Sequence, residues 1–184
     1  MAYTSCAATF AANIAKDCAT PLTGGYTGRG VLVDLADVTA ITMKAGSYCC
    51  VIDNSFGPQP LTGSSTQSNT DDGMMKFLKT LTAMVPRRGA DASKDIVEPT
   101  FQSPLGYLAV LEKRDRSGDG SFEVLGSEQG LKATADGIVR NEYENGGATM
   151  VTMTCNETNF ENVLFDTDYA TSLTAFEALI TKSY

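Results

Sequence analysis

Acid–base and nucleophilic chemistry draws on a short set of side chains, and this chain lacks the most versatile of them: it contains no histidine. A Ser-His-Asp triad, a Cys-His pair and a histidine metal site are therefore excluded. Proton transfer would fall to carboxylates, lysines and tyrosines. Carboxylates come close in sequence at Asp34 with Asp37, Asp71 with Asp72, Glu142 with Glu144, and Asp166 with Asp168. A glycosidase needs two such groups in contrasting environments, one held protonated opposite the other. Nothing in these spacings creates that contrast, and a chain without Trp is short of aromatic sugar platforms, so the pairs read as acidic surface.

Metal and phosphate sites fare no better. Cys6, Cys18, Cys49, Cys50 and Cys155 are an odd number without a Cys-x-x-Cys pair, which leaves no zinc spacing and predicts free, mostly buried thiols. Asp115-Arg116-Ser117-Gly118-Asp119-Gly120 opens like a calcium loop, with oxygen ligands at alternate positions. The twelfth position, where a bidentate Glu is required, is Gly126, and the flanks are strand-like, so a β-turn is the expectation. The glycines from Gly24 to Gly30 lack the lysine and the following helix of a phosphate cradle and read as a flexible loop. Asn156-Glu157-Thr158 satisfies the glycosylation triplet but reads as a polar turn, since the start of the chain has no secretory signal. Catalysis is not expected, and no catalytic, cofactor-binding or metal-ligating residue is assigned.

The elements that would have to position any such site are mostly strands. Residues 31–34, 38–43 and 48–52 are apolar or β-branched runs separated by turn residues. Residues 53–73 are polar and rich in Ser, Thr, Asn, Gly and Gln, and read as one long surface loop or as part of an unrecognised long hairpin. From residue 74 to 85 Met75, Phe77, Leu81, Ala83 and Val85 share one parity, which predicts a long strand ended by Pro86, with Lys79 the exception on its apolar face. A short internal helix is expected over 90–97, with Pro99 and Pro104 stopping its extension. Residues 105–111 and 121–125 form a hairpin around a charged turn at 112–120, and 130–135 and 149–155 each add a strand. At the end Tyr169, Leu173, Phe176 and Ile180 fall at i, i+4, i+7 and i+11, one apolar stripe of a terminal helix that Thr167 or Asp168 can cap. The fold class expected is mainly β, a mostly antiparallel barrel or sandwich with a C-terminal helix and one short internal helix.

At 184 residues the chain fits a single domain, 1–184, with an N-terminal arm over 1–20. Fourteen basic against twenty-two acidic residues give a formal charge of -8, which opposes binding to a phosphate backbone. No apolar window is long enough to span a membrane as a helix, and the expectation is a soluble chain made in the cytoplasm.

Several segments together resemble a group of structural proteins of tailed bacteriophages that infect Bacteroidetes, the major tail or tail tube proteins. They are Asp17-Cys18-Ala19-Thr20-Pro21-Leu22-Thr23-Gly24-Gly25 leading to Val31-Leu32-Val33-Asp34-Leu35; the hairpin end Phe122-Glu123-Val124-Leu125-Gly126-Ser127-Glu128-Gln129-Gly130-Leu131; and Phe165-Asp166-Thr167-Asp168-Tyr169-Ala170-Thr171 with its helix. The resemblance is one of pattern and order over residues 17–181. It implies a virion structural protein, made in the host bacterial cytoplasm, whose partners are copies of itself and other virion proteins. Its subunits would form hexameric rings that stack into a tube, through which DNA passes without specific binding. Under that reading the 53–73 segment is an assembly loop that reaches a neighbouring ring. Two alternatives remain open: a capsid decoration or head–tail connector protein, and a small-molecule-binding β-barrel, which would need a pocket with convergent polar groups.

Overall fold

The computed structural model describes residues 25–39, 42–43, 49–53, 61–69, 75–85, 97–116, 119–139, 148–164 and 167–181. Within them lie two main sheets, every strand pairing antiparallel to its neighbours. The first has five strands: β1 (Tyr26–Asp34), β4 (Cys49–Asp53), β7 (Tyr107–Lys113), β8 (Phe122–Leu125) and β11 (Asn162–Val163), in the order β11-β8-β7-β1-β4. The second has four longer ones, β5 (Leu61–Asn69), β6 (Met75–Val85), β9 (Lys132–Val139) and β10 (Thr149–Glu157), in the order β5-β6-β10-β9. A small ladder of β2 (Val38–Thr39) and β3 (Thr42–Met43) stands apart. The mainly β, antiparallel class expected from the sequence is the observed one, built as two stacked sheets without a closed barrel.

The five-stranded sheet is covered on both faces, which is why its central strand reads as an unbroken apolar run. Ala109 and Leu111 of β7 face the other sheet, where they pack with Leu81, Val151 and Met153; Leu108 and Val110 face away. On that far side lies α2 (Tyr169–Ile180), which packs Phe176 and Leu179 against Val31, Val33, Phe122 and Val124. Each such buried side chain stabilises the fold by about 1.5–3 kcal/mol over an exposed one. The four residues of the expected stripe all join this core, and Leu179 completes it. Asp168 is the N-cap: its side chain accepts the Thr171 amide at 2.8 Å, and that bond holds its carboxyl below the usual range.

The start of the central strand β7 is stitched to the other sheet. Tyr107 of β7 and Leu131, just before β9, exchange backbone hydrogen bonds of 2.9 and 2.7 Å. Gly130 sits there at φ +70°, and a Cβ on it would lie 2.1 Å from the Leu105 carbonyl oxygen, so glycine is required both for the turn and for the approach.

Three expectations are corrected. The 53–73 segment is not one long loop: residues 61–69 form β5, whose signal was masked because both of its faces are polar. The flexible loop expected at the glycines is strand from Tyr26 onward, with an irregular register between Tyr26 and Gly30. Residues 38–43 bend back on themselves as β2 and β3 instead of running on as one strand. Most of the 90–97 helix and the 1–20 arm lie outside the described residues; the internal helix within them, α1 (Pro99–Gln102), starts at the proline expected to stop one, because the first turn of a helix needs no amide there. The thiols divide: Cys155 is buried and Cys50 is exposed.

Candidate functional site

Of the carboxylate pairs singled out in the sequence, Asp34, Asp37 and Asp168 are among the described residues, and they cap or join short helical turns instead of forming a site. Asp34 accepts the Ala36 amide at 2.9 Å and caps a short 3-10 turn that contains Asp37, and Asp168 caps α2. Asp71, Asp72, Glu142, Glu144 and Asp166 lie outside the described residues. Of the calcium-like loop, Ser117 and Gly118 also lie outside, and Asp119–Ser121 is a 3-10 turn. The glycosylation triplet is not a turn but the end of β10 and the residue after it, with Glu157 pointing inward.

Three other acidic residues, none of them in those pairs, do converge with partners. Glu112 falls in the charged run expected to be a turn, yet it is fully buried at the end of β7. One of its oxygens accepts the Tyr169 hydroxyl at 2.9 Å and lies 3.3 Å from Arg116; the other accepts Thr27 at 3.0 Å and Arg29 at 3.4 Å. Burial first, and the Glu112 bond second, raise the Tyr169 phenol above its ordinary value. The two guanidinium groups also stand 5.6 Å from ring centroids, Arg29 over Phe176 and Arg116 over Tyr169. The cluster thus clamps the start and middle of α2 onto the five-stranded sheet.

Glu123 anchors a second cluster between the sheets. The Tyr26 hydroxyl donates to its Oε2 at 2.6 Å, and Lys113 lies against both Glu123 and Glu161. Tyr26 is pushed well above the ordinary phenol range, chiefly by burial and then by Glu123.

Glu157 forms the third. It and Lys79 are both fully buried, with Lys79 Nζ 2.5 Å from Glu157 Oε2. Ser127 holds the other oxygen through its amide at 2.6 Å and its hydroxyl at 3.0 Å. Asn162 donates to Oε2 at 3.1 Å and to Ser127 Oγ at 3.0 Å. The ammonium has this one ionic contact and no well-angled hydrogen bond among the described residues. Lys79 was visible in the sequence as the exception on an apolar face. Glu157 has the same signal, standing on the inward parity of β10 after Val151, Met153 and Cys155.

The outer face of the four-stranded sheet is lined by hydroxyl side chains. Register brings Thr62, Thr82 and Thr152 into one row, and Ser64, Thr80 and Thr154 into the next. Thr82 and Thr152 share a hydroxyl–hydroxyl hydrogen bond of 3.2 Å. On β5, β6 and β10 the only ionic residue among the described members of that face is Lys76. The outer strands of this sheet differ. β9 begins with Lys132 and carries a wide register irregularity against β10, whereas β5 has neither a charge nor a proline along its nine residues. No further strand pairs beyond β5 among the described residues.

Comparison with known protein families, curated proteins and solved structures finds no match to this chain.

Proposed function

We propose that this chain is a virion structural protein, a tail tube subunit whose rings, hexameric by the resemblance of its sequence, stack into a channel for genome passage. The observation that carries the reading is β5: a nine-residue edge strand without charge, proline or bulge, the devices by which sheet edges are usually kept apart. Such an edge suits pairing with a strand of a neighbouring copy, head to tail, so that closure of a ring removes the edges. Two further features support it. The net charge of -8 disfavours adhesion of DNA phosphates, and the hydroxyl rows beside β5 offer few cations to hold them. The helix-covered sheet on the opposite side gives the subunit a stiff outer wall.

Negative-stain electron microscopy of the concentrated protein, with light scattering on the same sample, tests this reading. Rings or hollow tubes are expected. A monomer at every concentration would overturn self-assembly and favour a decoration or connector protein docked on another protein's lattice.

A further inference from the structure

We propose that this chain forms an intramolecular isopeptide bond between Lys79 Nζ and Asn162 Cγ, with Glu157 as the general acid–base. The inference is independent of the tail tube reading, since it rests only on the chemistry of the buried Glu157 cluster.

An amide forms from an amine and a carboxamide when the amine is neutral, the carbonyl is polarised, and a proton can be delivered to the leaving nitrogen. The cluster places the groups that each condition calls on. Lys79 Nζ and Asn162 Nδ2 contact the same carboxylate oxygen, at 2.5 and 3.1 Å, so nucleophile and leaving group flank one proton carrier. Glu157 Oε2, 2.5 Å from Nζ, is placed to take the proton whose loss makes the Lys79 amine nucleophilic. On the far side of the carboxamide, Asn159 Nδ2 donates to Asn162 Oδ1 at 3.2 Å, where negative charge would develop. Ser127 fixes the remaining Glu157 oxygen with two hydrogen bonds. Phe77, opposite Glu157 in the β6–β10 ladder, packs edge-on against Phe160 at 5.4 Å, adding an apolar wall.

The step balances without any co-reactant. Lys79 gives one proton to Glu157, and the amine lone pair attacks Asn162 Cγ to form the new C–N bond. The tetrahedral centre collapses as the Cγ–Nδ2 bond breaks and the Glu157 proton passes to the departing nitrogen, which leaves as ammonia. The second Lys79 proton returns to Glu157, which ends as a neutral acid beside a neutral amide. A buried ion pair is thereby replaced by uncharged groups, which removes the cost of keeping two charges out of water. Asn162 is only partly buried, which leaves ammonia a way out. The product ties β6 of the four-stranded sheet covalently to β11 of the five-stranded sheet.

The test is the intact mass of the purified wild-type chain under denaturing conditions, followed by peptide mapping. A mass lower than that of the sequence by one ammonia, and a branched peptide joining Lys79 to Asn162, are expected. Asn145-Gly146 can also lose ammonia by closing on its own backbone, so Lys79→Met and Glu157→Gln are measured alongside; both are expected to regain the full mass. Asn162→Asp is expected to condense with loss of water instead. A full wild-type mass with Lys79 and Asn162 in separate linear peptides overturns the proposal, as does ammonia loss that persists in Lys79→Met. The wild-type measurement decides the matter even if a variant fails to fold.

Discussion

Tyr26 lies against Gly63 with no room for a side chain between them: a Cβ on Gly63 would stand 2.5 Å from the Tyr26 hydroxyl oxygen. The tyrosine reaches Glu123 of its own sheet by passing over this glycine of the other, so the glycine in β5 and the phenol in β1 specify one another. Gly63→Ala must displace a ring anchored by a 2.6 Å hydrogen bond, an overpacking cost of about 1–3 kcal/mol. Urea denaturation is expected to show that loss, and Tyr26→Phe in the same background to recover part of it, because the atom in closest conflict is the hydroxyl oxygen and the ring carbons lie at 3.2 and 3.3 Å.

Glu112 is the hub on which α2 is hung. Glu112→Ala leaves the Tyr169 hydroxyl without its acceptor, while the two guanidinium groups, 37 and 59 % exposed, turn to water, so the cost is about 1–3 kcal/mol. Amide exchange should rise in residues 169–180 more than in β6 or β10. Uniform exchange across all three elements would mean that the helix is held by its apolar face alone.

That apolar face is the subject of a second substitution. Phe176 is fully buried with Phe122 at a ring-centroid distance of 5.1 Å, and truncating such a side chain costs about 3–5 kcal/mol. Phe176→Asp adds an unpaired charge in the same place and is expected to exceed Phe176→Ala in lowering the Tm. Equal thermal stability of Phe176→Asp and wild type would contradict the packing of α2.

Cys155 ties stability to alkaline pH. Burial first, and the neighbouring Glu157 carboxylate second, push its thiol from 9.0 to about 12. The unfolded chain releases this proton at lower pH than the folded one, so stability is intact below pH 9.0 and declines above it, by about 1.4 kcal/mol per unit at most, until the folded thiol also ionises. Tyr26, also raised, adds a loss of the same sign above its ordinary value of 10.0. Denaturation midpoints measured upward from pH 9.0 should fall less steeply for Cys155→Val than for wild type.

Assembly through β5 is separable from folding. Ser64→Lys places a charge on an exposed position of that strand, where it should leave the monomer within about 0.5 kcal/mol of wild type while suppressing rings and tubes. Light scattering and a thermal melt on one sample distinguish the two effects.

Much of this architecture was legible in the residues. β6, β7, β8, β10 and α2 announce themselves because burial on one face, or on both, imposes a period of two, a continuous apolar run, or a stripe at helical spacing. β5 was hidden because an edge strand lying over Gly63, Ser65 and Gln67 has no apolar alternation to show. The polar clusters were hidden for a different reason. Glu112 stands in the run Glu112-Lys113-Arg114-Asp115-Arg116, where charge density signals a turn, and only the fold reveals that one member points into the core. Lys79 and Glu157 broke an apolar parity on two separate strands, but their pairing depends on the β6–β10 register, which no local pattern encodes.

The backbone bonds between Tyr107 and Leu131 make the sandwich a bound book. Its pages are the two sheets, and on the page edge formed by β5 Tyr26 reaches over Gly63 as a clasp. The strand that carries the unguarded edge is thus also one that the clasp keeps closed, so a neighbour pairing along β5 would hold shut the strand that recruited it.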